Sequence, residues 1–496
     1  MTATLLDRIA SAVGGPFPRN VRICLALGAL GLLAGGTRLV AQTRLDLEPC
    51  RPPGVEETVR CGDLLVPENP RQPVGRKIKL HVVVLPALDP APHAAPLFDL
   101  AGGPGIAGTG AAPFYATDGR IHRRHRDVVL IDQRGTGESS PLRCEALELE
   151  FPRDSMYPVE MVERCRETLA RHADLAQYTT ANAAADVDAV RAALGYSTID
   201  LFGLSYGTRL ALTYLRLHPE HTRAVALAGT LGDGKKMPLW HARNAQEVLD
   251  RLFAQCAADP ACHGAFPNLA QEWRSVLARL DKALVATSVD IGGRRVPVVI
   301  RRGPFGEAFR NLLLSSDRQS RIPLQIHRMA GGDFRPVLPA LAAGSGEFAE
   351  GLYLSVTCAE DTPFITAVER QSATANTFLG TYRIDEQAAA CKVWNVPPAP
   401  AGPSANPDVP ILLIAGGMDY VTPSAWARAV AALFPRSRLV GIPDLGHFPA
   451  GLSHMDCFDQ MLATFYEHGD ARAVDTACVK TMTRPPFVVA ETKPAP

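Results

Sequence analysis

The sequence predicts an α/β fold: a mostly parallel sheet flanked by helices, with a large, mainly helical domain inserted before one of the last strands. Three observations predict it. Short apolar runs such as 409–415 alternate with helical stretches, the pattern of strands buried on both faces. One such run, starting at Ile199, leads through Gly203-Leu204-Ser205-Tyr206-Gly207 directly into the helical stretch 208–217. Between Leu231 and Ser404 lies far more chain than a connection to the next strand needs.

The elements follow in order. Residues 64–66 and 78–85 read as leading strands, and 96–100 as the next, running into a glycine-rich loop. Residues 127–131 form a strand ending at Asp132, and 184–194 an amphipathic helix. After the helix 208–217, residues 224–228 return to the sheet. Helices are expected inside the insertion at 242–257, 269–284 and, with a weaker pattern, 312–326. The chain then re-enters the sheet at 409–415, passes through a helix at 424–434, and closes with a strand at 438–442. The expected organisation is a leader or anchor at 1–41, a first core part at 42–230, a cap at 231–404, and a second core part with the C-terminal tail at 405–496.

Chemistry concentrates at the turns of this plan. A serine on a tight strand-to-helix turn has its hydroxyl held out at the sheet edge. The helix that follows favours negative charge at its N-terminus. The nucleophile then needs a base and an orienting acid later in the chain. Asp419 lies in Gly416-Gly417-Met418-Asp419, at the carboxyl end of the strand 409–415. His447 lies in Asp444-Leu445-Gly446-His447-Phe448, just past the last strand. Carboxyl ends of parallel strands share one sheet edge, so Ser205, Asp419 and His447 can converge there. His454 is a rival base and Asp444 a rival acid. The loop Ala101-Gly102-Gly103-Pro104-Gly105 lets backbone N–H groups approach an oxyanion. Gly103 is the first expectation and Gly102 the second, paired with the N–H of Tyr206. The phosphate-cradling pattern G-x-x-x-x-G-K-[ST] is absent.

These residues resemble the secreted tripeptidyl-aminopeptidase branch of the α/β-hydrolases, relatives of the proline iminopeptidases. The resemblance rests on Gly102-Gly103-Pro104-Gly105, Asp132-Gln133-Arg134-Gly135-Thr136-Gly137-Glu138-Ser139, Gly203-Leu204-Ser205-Tyr206-Gly207-Thr208, Asp419-Tyr420-Val421-Thr422-Pro423 and Gly446-His447. Two positions depart from the branch. Ala101 stands where iminopeptidases carry histidine, and Tyr420 where a proline often follows the acid. The resemblance implies an α/β-hydrolase fold and acyl transfer through a Ser-His-Asp triad. It also implies a peptide substrate cut near its free N-terminus. Such an enzyme needs a carboxylate for the substrate ammonium. Glu360 and Asp361, after Cys358 in the insertion, are the expected pair. The alternatives are a secreted carboxylic-ester hydrolase with the same triad, and a non-catalytic binding protein on the same scaffold.

Composition bounds the partners. The 496 residues are 47% apolar and carry 51 basic and 51 acidic side chains, with no basic stripe, so nucleic acid is not an expected partner. No cofactor is called for. No C-x-x-C or H-E-x-x-H occurs to support a metal, and His218-Pro219-Glu220-His221 reads as a helix end. At the N-terminus, Arg8, Arg19 and Arg22 precede an uncharged stretch closed by Arg38. As a helix it would rise ~22 Å, short of the ~30 Å hydrocarbon core. That favours a signal peptide cleaved after Gly36 or Ala41. A membrane association follows only if the segment stays uncleaved. Of eleven cysteines, setting aside Cys24 leaves an even number. Pairing of neighbours is the simplest choice: Cys50 with Cys61, Cys144 with Cys165, Cys256 with Cys262, Cys358 with Cys391, and Cys457 with Cys478. Such bridges belong to a secreted, periplasmic or cell-envelope protein.

Overall fold

The computed structural model describes residues 44–490 apart from 93, 149–153, 233, 292, 343–347 and 403–406. The leader expected at 1–41 lies outside the described residues. A nine-stranded sheet runs in the order β1-β2-β3-β5-β4-β6-β7-β10-β11. Its strands are β1 (Glu48–Cys50), β2 (Val59–Pro67), β3 (Lys77–Leu85), β4 (Leu97–Leu100), β5 (Val128–Ile131), β6 (Ile199–Leu204), β7 (Thr222–Ala228), β10 (Ile411–Gly416) and β11 (Ser437–Ile442). The pairs β1/β2, β2/β3 and β3/β5 are antiparallel, and the rest are parallel. The central strands are buried along their whole length, as the unbroken apolar runs require. The leading antiparallel strand β2 instead alternates buried and exposed positions.

The longer helices are α1 (Val159–Ala170), α2 (Thr180–Ala193), α3 (Tyr206–Leu217), α4 (His241–Ala258), α5 (Leu269–Lys282), α6 (Arg302–Asn311), α7 (Ser316–Ala330), α8 (Glu350–Glu360), α9 (Tyr382–Trp394), α10 (Ser424–Ala431) and α11 (Asp456–His468), of which α4 to α9 belong to the segment between β7 and β10. One face of the sheet packs Val187 and Val190 of α2 and Leu210 and Tyr214 of α3. The other packs Phe458, Met461 and Phe465 of α11.

The insertion runs from the end of β7 to the start of β10. It holds its own apolar core, in which Trp273, Phe305, Phe309 and Phe378 meet ring to ring. It is helical apart from an antiparallel hairpin, β8 (Val285–Ile291) with β9 (Arg294–Ile300), which the periodicity did not reveal. The helix expected at 312–326 starts later, at Ser316, and continues to Ala330 through Pro323. The cause is tertiary. The Leu314 carbonyl receives the backbone N–H groups of His447 (2.8 Å) and Phe448 (3.2 Å), so the chain between α6 and α7 is spent on the histidine loop. Ser316 Oγ donates to the Asp444 carbonyl at 2.7 Å and adds to the same seam.

All five cysteine pairs are bridged, each between the neighbours that spacing suggested. Among the described residues, no helix is long and apolar enough to cross a membrane.

Candidate active site

Ser205 joins β6 to α3. Its backbone has φ 58° and ψ −123°, a conformation L-residues rarely adopt. Two close approaches hold it there. A Cβ on Gly207 would run into the Leu100 carbonyl, and one on Gly203 would lie 2.8 Å from Thr208 N. Glycine at these positions lets β4, β6 and α3 meet without a gap. Thr208 closes the turn by donating Oγ1 to the Ser205 carbonyl at 2.5 Å.

His447 Nε2 lies 2.9 Å from Ser205 Oγ. Its Nδ1 lies 3.0 Å from Asp419 Oδ2. Ser205, Asp419 and His447 are 9%, 3% and 6% exposed, so the line is shielded from bulk water. Asp419 is saturated with donors. Its Oδ1 accepts the N–H groups of Val421 (2.8 Å) and Thr422 (2.9 Å), and its Oδ2 accepts Thr422 Oγ1 at 2.7 Å. A fixed acid of this kind holds an imidazole in one tautomer and favours its cation. Gly229, at the end of β7 with φ +61°, fits against the pair. A Cβ there would meet Thr422 Oγ1 at 2.9 Å and both Asp419 Oδ2 and His447 Cε1 at 3.4 Å.

The rival residues lie elsewhere. Asp444 accepts from Gln255 Nε2 at 3.1 Å, and His454 is exposed.

The glycine-rich loop faces the serine. A Cβ on Gly102 would stand 3.1 Å from Ser205 Cβ, whereas one on Gly103 would meet Phe348 at 3.1 Å. Gly102, second in the sequence reading, is therefore packed closer to Ser205 than Gly103 is. Both glycines line the cavity. As the first residue of α3, Tyr206 has no acceptor for its N–H within the helix. The loop is buttressed by the motif after β5. Gln133 Nε2 donates to the Ala101 carbonyl at 2.8 Å, and Asp132 Oδ1 accepts both Thr109 N and Oγ1. Arg134 makes a buried fork onto Asp186 of α2, at 2.6 and 2.7 Å. The run Asp132-Gln133-Arg134 thus shapes the glycine-rich loop without touching the serine.

Ser205 and His447 open into a cavity of about 1020 Å³, walled by both the sheet edge and the insertion. The insertion contributes Met237, His241, Arg310, Leu312, Phe348, Glu350, Tyr353 and Arg383. Asp99 lies in the floor, where burial pushes its carboxyl up to about 6 against the pull of the Tyr115 hydroxyl.

Matches to known proteins agree with this geometry. Residues 102–287 match the family described as the alpha/beta hydrolase fold, and residues 376–478 match the one described as TAP-like protein. The chain belongs to the α/β-hydrolases. It is a serine hydrolase of the TAP-like group. It is 27% identical over 467 residues to the serine protease Hip1 of Mycobacterium tuberculosis, covering 82% of this chain and 88% of that protein. It is 24% identical over 509 residues to the tripeptidyl aminopeptidase of Streptomyces coelicolor, covering 90% and 88%. Over a shorter stretch of 142 residues it is 31% identical to the proline iminopeptidase of Xylella fastidiosa, covering 28% of this chain and 33% of that one.

Glu360 and Asp361 do not reach the cavity of this α/β-hydrolase, which corrects the sequence expectation. Asp361 is 1% exposed and takes the Arg209 guanidinium at 2.8 and 3.3 Å. Glu360 accepts Thr180 N and Oγ1, both at 2.6 Å. The two acids pin α8 to the starts of α2 and α3. The reason is helix length. The eleven residues of α8 span ~15 Å, and the cavity lies at the other end, where Glu350 is. Glu350 accepts from the Tyr157 hydroxyl at 3.2 Å. The helix is buried all round from Gly351 to Ala359, so no amphipathic period in the sequence marked it or the end that faces the serine.

A second feature that sequence reading missed is the charged knot behind Asp419. Glu307 of α6 is held between Arg310 and Arg383 (2.5 Å to Arg383), and Arg310 donates to the Tyr420 hydroxyl at 2.6 Å. Burial by itself pushes the Glu307 carboxyl up, but the two guanidiniums outweigh it and hold the group at about 2. Tyr420, the departure from the branch pattern, is the anchor by which the insertion grips the acid loop. On the far end of α3, ligand-type atoms of Asp188, His218 and His221 lie within 4.8 Å of one another. Arg191 and Tyr214 already donate to Asp188, at 2.7 and 3.0 Å, so the group closes as a hydrogen-bonded cluster.

Proposed function

We propose that this serine hydrolase is an extracytoplasmic aminopeptidase that releases short peptides from the free N-terminus of its substrate. The observation that carries the reading is the line Ser205–His447–Asp419, at 2.9 and 3.0 Å, opening into a cavity of about 1020 Å³ under the insertion. In this reading Ser205 Oγ attacks the scissile carbonyl while His447 Nε2 takes its proton. Asp419 stabilises the imidazolium, which then protonates the leaving amine. The N–H groups of Gly103 and Tyr206 receive the oxyanion, each donor contributing ~3 kcal/mol in the transition state. Water releases the acyl group by the reverse sequence, with His447 again as base.

Three further points support peptide specificity and location. Full-length relatives are named as peptidases. Glu350 lines the cavity and can pair with an ammonium, the task first expected of Glu360 and Asp361. Five disulfides need an oxidising compartment. Residues 231–404 act as the cap, closing the cavity so that only a chain end enters.

The test is incubation with a peptide mixture and mass spectrometry of the fragments. Short N-terminal fragments from free peptides, and none from their N-acetylated forms, are expected. Equal cleavage of both would replace the reading with an endopeptidase. Turnover of esters alone would replace it with a carboxylic-ester hydrolase.

A further inference from the structure

His241, the first residue of α4, lines the same cavity as Ser205 and His447 and has no role in the proton relay. It is 5% exposed, and its Nδ1 is sealed without a hydrogen-bond partner among the described residues. Its neighbours on this wall are engaged. Arg310 holds Glu307 and Tyr420, and Arg383 holds Glu307 and the Tyr353 hydroxyl. The His241 ring stands edge-on to Tyr420, 6.2 Å between centroids. Burial first, then the charges of Arg310, Arg383 and His447, keep its imidazole well below the usual histidine range. It is therefore neutral, with one N–H to place.

The placement follows from which nitrogen is sealed. A buried N–H with no acceptor costs more than a lone pair with no donor. The proton therefore belongs on Nε2, the ring nitrogen left to face the cavity, and Nδ1 keeps an unused lone pair. The cavity wall then presents a neutral, fixed donor close to His447.

We propose that the His241 Nε2–H is a substrate-binding donor that takes a peptide carbonyl of the acyl portion, beyond the scissile bond. The inference rests on the peptidase reading above and deepens it. A neutral donor suits a neutral carbonyl. It orients the backbone of the bound segment without adding charge to a wall that already holds Arg310 and Arg383.

The experiment compares His241→Phe, which keeps a planar ring and removes the donor, with His241→Gln, whose amide can place a donor near the Nε2 position. The substrates are Ala-Ala-Ala p-nitroanilide, the matching tripeptide p-nitrophenyl ester, and p-nitrophenyl acetate, which has no carbonyl beyond the reacting one. Thermal melts establish folding, and His241→Leu replaces the phenylalanine variant where that one does not fold. The expected result is a KM raised about tenfold in His241→Phe on both tripeptide substrates, with kcat changed less. His241→Gln should recover most of the loss, and the effect on the acetate should be several-fold smaller. Equal losses in Phe and Gln variants, or equal effects on tripeptide and acetate, would make His241 a packing residue and overturn the inference. Failure of the peptidase reading looks different. The wild-type enzyme would then cleave the tripeptide ester and not the anilide, and His241 would be judged on ester against acetate.

Discussion

At the scale of single residues, backbone strain and the proposed nucleophile share one position. Ser205 sits at φ 58°, where a side chain costs about 1–3 kcal/mol and glycine costs little. Two substitutions separate the parts. Ser205→Ala should lower kcat by about 10⁶ with little change in melting temperature. Ser205→Gly should be as inactive yet more stable than the alanine variant by about 1 kcal/mol, measured by denaturant melts. Near-normal turnover in purified Ser205→Ala would remove this serine from the mechanism. Gly229 carries the converse constraint. With φ +61° and the Asp419–His447 pair within 3.4 Å of a would-be Cβ, Gly229→Ala should lose about 1–3 kcal/mol of stability. It should lower kcat more than it raises KM, because it displaces the acid and base and not the substrate wall.

At the scale of elements, the insertion and the sheet are joined by charge as well as by apolar packing. Glu307, held at about 2 by Arg310 and Arg383, has a depressed folded-state pKa against ~4.3 in an unfolded chain. A depressed carboxylate contributes stability above its unfolded value, and that contribution is lost as pH falls toward about 2. Its size is of the order of 3 kcal/mol. Glu307→Gln should flatten the fall of stability between about pH 4.3 and 2 relative to wild type. At neutral pH it should cost about 3–5 kcal/mol, since it strands two buried guanidiniums. Melting curves across pH decide the matter; parallel wild-type and variant curves would deny the knot a role. The seam at Leu314 and Ser316 shows the same coupling in backbone form. The break between α6 and α7 is where the insertion holds the His447 loop.

At the scale of the whole molecule, four of the five bridges fasten helical and loop segments outside the sheet, and Cys50–Cys61 joins the paired strands β1 and β2. Cys358–Cys391 ties the end of α8 to α9, a separation of 33 residues. Replacing both cysteines by alanine should cost ~2–4 kcal/mol, read as a lower denaturant midpoint under non-reducing conditions. An unchanged midpoint would show that the insertion's core suffices without the bridge. Peptide mapping of exported protein without reductant should find all five neighbour pairs; free thiols throughout would contradict the oxidising compartment.

The sequence by itself determined the sheet's buried strands, because burial on both faces demands unbroken apolar runs such as 411–416 and 128–131. It also marked Ser205, Asp419 and His447, since each stands at the carboxyl end of a strand or just beyond, and parallel strands bring those ends to one edge. The neighbour pairing of cysteines was legible for a related reason: short loops are the cheapest to close. Only the tertiary structure decided what fills the cavity wall. Glu350 and Glu360 bound α8, a helix buried all round in between that the sequence pattern did not mark, yet one lines the cavity and the other binds Thr180 at the start of α2. Which end of a helix meets a site depends on how the insertion docks, and docking is set by contacts far apart in sequence. Leu314 with His447 is one such contact, and Arg310 with Tyr420 is another. Local propensity carries no record of such pairs, so the residues Ser205, Asp419 and His447 were legible in the chain and the lining of the cavity beside them was not.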